Sequence, residues 1–89
     1  MSNKEIIYKN LEQHSLFMQY ALEHPEILEE IPPGAEVVFI PEDKPELAKI
    51  NLKSAKAKEA RGEKVVYLKV KVTPETRTVL VPQVEVTSV

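Results

Sequence analysis

The chain has 89 residues, 43% of them hydrophobic and 29% charged, with no cysteine and a formal net charge of −2. That length holds one domain, residues 1–89, and the composition is that of a folded protein, not a disordered one. Without cysteine there is no disulfide scaffold, thiolate zinc site or cysteine nucleophile, and a reducing cytoplasm is the expected compartment.

Ser2-Asn3-Lys4-Glu5 fits a capping box, so a long helix is predicted to start there. Ile7, Leu11, His14, Met18 and Leu22 recur at three- and four-residue spacing and form an apolar stripe, which Phe17 and Ala21 widen. Pro25 ends or breaks that helix near His24, with one further turn expected over residues 25–30. Ile31-Pro32-Pro33-Gly34 then stops helical structure.

Residues 35–40 contain Val37-Val38-Phe39-Ile40, apolar at both parities, which reads as a strand buried on both faces. Asp43-Lys44-Pro45-Glu46 looks like a second capping box, with proline in the first turn. The helix that follows, residues 44–61, is expected to bury Leu47, Ala48, Asn51, Leu52 and Ala55, with Asn51 as a hydrogen-bonded amide. Gly62 sits where a helix C-terminal glycine belongs.

Residues 65–72 alternate, with Val66, Leu68, Val70 and Val72 on one face and Tyr67, Lys69 and Lys71 on the other. Residues 73–76 supply a turn, and residues 77–86 a last strand in which Pro82 signals an edge or a bulge. A two-residue loop pairs Val70 with Val79. A three-residue loop pairs it with Leu80 and keeps the even-numbered apolar residues on one face, which the hydrophobic pattern prefers.

The order is therefore α-β-α-β-β, an α/β (α+β) domain. A right-handed crossover makes the first two strands parallel, and the last runs antiparallel. The expected architecture is a small three-stranded mixed sheet with two helices packed mainly on one face.

Few residues carry chemistry. Glu42 and Asp43 follow the first strand, where open α/β sheets place ligands, and two carboxylates there could hold a divalent cation. Asp43 is better explained as a helix cap, so no metal, cofactor or catalytic residue is assigned. His14 and His24 are the only histidines and are ten residues apart, far from ligand spacing. With only Gly34 and Gly62, a phosphate-cradling loop has no material.

Residues 1–43 carry two basic and nine acidic side chains, whereas residues 44–89 carry ten basic and five acidic ones. Lys49, Lys53 and Lys56 line an outer helix face, and Lys69 and Lys71 flank Tyr67, a set a nucleic-acid binder could use. Overall acidity and only two arginines weigh against nucleic acid. Residues 1–9 show no targeting pattern, and no apolar run reaches membrane-spanning length. Abundant Lys and Glu would suit a thermophile.

The segments IPPGAEVVFIPED, PELAKINL and GEKVVYLKV, within residues 31–72, resemble a small family of uncharacterised prokaryotic proteins, a domain of unknown function. The EHPEILEEIP end of the first helix is similar too, whereas residues 73–89 depart from the pattern. The resemblance implies a compact cytoplasmic domain and brings no catalytic residue with it.

The favoured expectation is a non-enzymatic interaction or regulatory protein, acting as a homodimer or on another protein. A chain this short has a thin core, and association would enlarge it. The candidate contact residues are Val79, Val81, Val84 and Val86 on an exposed strand edge, and Phe17 and Met18 on the first helix.

Overall fold

The computed structural model describes residues 1–74 and 80–87. Helix α1 spans Asn3–Glu23, a 3₁₀ helix spans Pro25–Glu30, strand β1 spans Glu36–Pro41 and helix α2 spans Pro45–Ala60. Strands β2, Val65–Pro74, and β3, Leu80–Thr87, complete a three-stranded mixed sheet in the order β1-β2-β3. The fold is a small α+β domain.

Local chemistry sets most of the element ends. Ser2 Oγ accepts from the Glu5 amide at 3.2 Å, satisfying one of the orphan donors at the start of α1. His24 caps the other end, and Pro25 opens the 3₁₀ turn because its missing N–H is not needed there. Gly62 has φ +85° and closes α2 with amide bonds from Gly62 to Glu59 and from Glu63 to Lys58. The second capping box does not form. Lys44 is the N-cap of α2 and makes no side-chain cap bond, its amide donating to Pro41 instead.

β1 runs parallel to β2, with Val37 opposite Val66 and Phe39 opposite Leu68. β3 runs antiparallel, with Val70 opposite Val84 and Pro74 opposite Leu80. Both registers read from the sequence therefore place the turn too early. Thr73 and Pro74 continue β2, and the connecting residues 75–79 lie outside the described residues. The even-numbered apolar residues still share one face.

Bond phase explains how two prolines fit this ladder. Glu42 N donates to Val70 O, and Glu36 N to Lys64 O, so even-numbered β2 residues turn their backbone groups toward β1. Odd-numbered ones then face β3. Pro74 and Pro82 occupy the non-bonded pairs with Leu80 and Val72, where an absent donor removes no β2–β3 bond. Pro82 thus sits on an edge strand, as its place in the sequence suggests.

The helices divide between the two faces of the sheet, where the parity of Val66, Leu68 and Val70 leads one to expect both mainly on one. Phe17 and Ala21 of α1, with Ile27 of the 3₁₀ helix, pack with Val66, Leu68 and Val84. Ala55 of α2 packs with Val38 and Tyr67 on the opposite face. The reason is that β1 and the start of β2 are apolar at both parities, so both faces need cover. The crossover holds α2 against one of them, and α1 takes the other.

Candidate functional site

Helix α1 presents two apolar rows, and the sheet takes only one. Gln13, Phe17 and Ala21 are buried, with Phe17 tilted against Phe39 at a ring-centroid distance of 6.2 Å. The longer row points outward, with Ile7 61%, Leu11 59%, Met18 43% and Leu22 82% exposed. The stripe that the spacing picks out as the helix's apolar face is thus not its core face. Phe17 therefore belongs to the core and is not a contact candidate, whereas Met18 stands on the outer row. His14 lies between the rows, exposed, with its ring edge-on to Phe39 at 6.3 Å.

Three of the other contact candidates, Val81, Val84 and Val86, lie on β3. Val84 is buried under α1 and Val86 is half-buried against the same cluster, so neither is a free surface. Val81 pairs with Thr73 through the backbone, and Val79 lies outside the described residues. What β3 does offer is the backbone of its even-numbered residues, turned to the open edge, and Pro82 removes one donor from it.

The opposite sheet edge has one of its carbonyls capped by a side chain. Odd-numbered β1 residues turn their backbone away from β2, and the Phe39 carbonyl accepts from Asn51 Nδ2 at 2.8 Å. Asn51 also exchanges two hydrogen bonds with Asn10, at 2.7 and 3.1 Å, tying α2 to α1 across the strand. Lys58, further along α2, pairs with Glu36, and its hydrogen bond holds the Glu36 carboxyl below the usual carboxylate range. The buried amide expected at Asn51 is present, and its task is to cap an edge strand. Asn10 and Gln13 escape a reading by hydrophobicity because they are polar. Only their spacing with Phe17, three and four residues apart, marks the shared face.

Of the nucleic-acid candidates, the five lysines are exposed and Tyr67 is not. Lys49, Lys53 and Lys56 are exposed on α2. Tyr67 lies beneath that helix, 2% exposed, with its hydroxyl donating to the Glu59 carboxylate. That bond, and then burial, push the Tyr67 hydroxyl up to about 12. A ring held this way cannot stack on a base. Lys69 and Lys71 are exposed, but Lys69 has Glu42 at 3.6 Å and Glu85 as its cross-strand neighbour.

Asp43 and Glu42 are exposed at the end of β1 and are not drawn together with a third acid. Among the described residues, no group of three or more His, Cys, Asp or Glu side chains is placed to hold a metal ion. A cavity of about 240 Å³ beside Asp43 and Lys44 is lined on the α1 side by Glu12, Gln13 and Leu16. Gln13 Oε1 is buried and has no hydrogen-bond partner. A second cavity, about 420 Å³, opens between Glu30, Glu59 and the end of β3. Neither gathers a nucleophile, an activating base and an oxyanion donor.

Residues 5–82 match the family described as "Family of unknown function (DUF5647)". The chain belongs to that family. The match reaches Pro82, so it takes in β2 entire and the first residues of β3, beyond the limit at residue 72 that the shared segments set. No curated protein and no solved structure matches the chain. Among the described residues, no helix is long and apolar enough to cross a membrane.

Proposed function

We propose that this member of the DUF5647 family is a non-enzymatic interaction protein that works as a homodimer through the outer face of α1. One observation carries the reading. Five of the chain's large exposed hydrophobic residues, Ile7, Tyr8, Leu11, Met18 and Leu22, lie on this single helix. An apolar row of that length on a small domain is the mark of a contact surface. The β3 edge is the weaker candidate, because Pro82 interrupts its donors and Val84 and Val86 are already engaged in the core.

Association also answers a need of the fold. At 89 residues the two thin apolar layers on either side of the sheet leave much of the surface unburied. The absence of cysteine fits a reducing cytoplasm as the place of action. Light scattering at tens of micromolar tests the proposal. The expected result is twice the chain mass, reduced to the single-chain mass in Leu11→Lys with the helix content unchanged. A wild-type monomer at that concentration would overturn it.

A further inference from the structure

The outer row of α1 has a property that a mere apolar patch does not need: it reads the same from either end. Ile7 and Leu22 are equidistant from the midpoint of the His14–Ser15 peptide, and so are Leu11 and Met18. The spacings along the row, four from Ile7 to Leu11, seven on to Met18 and four to Leu22, fit those of paired helices. At 1.5 Å per residue the row from Ile7 to Leu22 is about 23 Å long. We infer that α1 pairs with the α1 of a second copy in antiparallel register, about a two-fold axis at the His14–Ser15 peptide. The inference rests on the homodimer reading above and deepens it.

In that register Ile7 meets the partner copy's Leu22 and Leu11 meets its Met18, so every large apolar residue of the row finds another. His14 and Ser15 meet at the axis. Polar residues there cost little beside water and would penalise any slip that set them against Leu or Met. An isologous contact of this kind closes on itself and cannot grow into a filament.

Charge selects the same direction. Lys4 continues the row one turn before Ile7, and the antiparallel direction carries it toward the C-terminal end of the other copy's α1. The end of α1 and the 3₁₀ helix carry Glu23, Glu26, Glu29 and Glu30 with no Lys or Arg. A parallel pair would crowd both acidic ends together and align the two helix dipoles, whereas the antiparallel pair separates the acids and opposes the dipoles. Glu5, Glu12 and Glu23 stand roughly a third of a turn from the row at 3.6 residues per turn, so they flank the seam without entering it.

The cysteine-free chain gives a clean test by disulfide formation. Leu11→Cys and Met18→Cys are each made singly, and the two chains are oxidised apart and mixed. Both positions are exposed, so neither change opens the core, and far-UV circular dichroism checks the fold. Antiparallel pairing gives a covalent 11-to-18 dimer in the mixture and none from either single variant. Copies of residue 11 would sit about 10 Å apart along the seam, beyond disulfide reach. A parallel pair gives the reverse pattern and overturns the register. A wild-type dimer by light scattering with no crosslink in any sample overturns the seam while leaving the homodimer standing. A wild-type monomer removes both.

Discussion

Asn51→Ala tests whether the α1–α2 junction is built to cap the edge of β1. The substitution removes three hydrogen bonds, two with Asn10 and one to the Phe39 carbonyl. Asn10 is half-buried and recovers water, so its two bonds contribute at the ordinary net value of about 1 kcal/mol each or less. The Phe39 carbonyl's bond is part-buried, and leaving the carbonyl unpaired costs roughly 1–3 kcal/mol. Together the expected loss is about 1–5 kcal/mol. Urea unfolding followed by circular dichroism at fixed protein concentration reads it as a lower midpoint with unchanged slope. Asn10→Ala is the companion variant, because it breaks only the two interhelical bonds and leaves Phe39 capped. It also leaves the Oδ1 of buried Asn51 without that partner, so it should cost about 1–3 kcal/mol. An Asn51→Ala loss within about 0.5 kcal/mol of zero would refute the edge-capping account.

Three further outcomes follow from single contacts. Gln13 is 1% exposed with an unpartnered Oε1, so Gln13→Met, which keeps the shape and removes the buried polar atom, should raise stability by about 1–3 kcal/mol; an unchanged or lower midpoint contradicts this. Gly62→Ala places a Cβ at φ +85° in open space, so the cost should be backbone strain alone, about 1–2 kcal/mol, with Gly62→Asn losing less in the same melts. Tyr67 is raised above its unfolded value near 10 to about 12, so its bond with Glu59 stabilises the fold fully below pH 10 and is lost as pH rises toward 12. Wild-type protein should lose stability across that window, and Tyr67→Phe should flatten the decline; parallel pH curves for the two would show that Tyr67 is not the titrating group.

Much of this fold is legible along the chain because the forces involved act over a few residues. Ser2 begins a helix, Pro25 breaks one, Gly62 closes one, and Pro82 marks an edge strand, each through donors or dihedrals within a turn of the residue itself. The parallel pairing of β1 with β2 is equally accessible, since handedness leaves a crossover few alternatives. The face that α1 turns inward is different in kind. Its Ile7–Leu22 row is the more hydrophobic one, yet Gln13, Phe17 and Ala21 lie against the sheet. That choice depends on Phe39, Val84 and Asn51, residues 22 or more positions further along the chain than Phe17. The same holds for the register of β2 with β3. Thr73 and Pro74 have the chemistry of a turn, but the ladder that sets Val70 opposite Val84 carries them into the strand. The division of the helices between two faces is decided there as well, because Tyr67 and Val38 need cover as much as Leu68 does. The pattern along α1 marks which residues are apolar, and only the packed sheet decides which of them remain exposed.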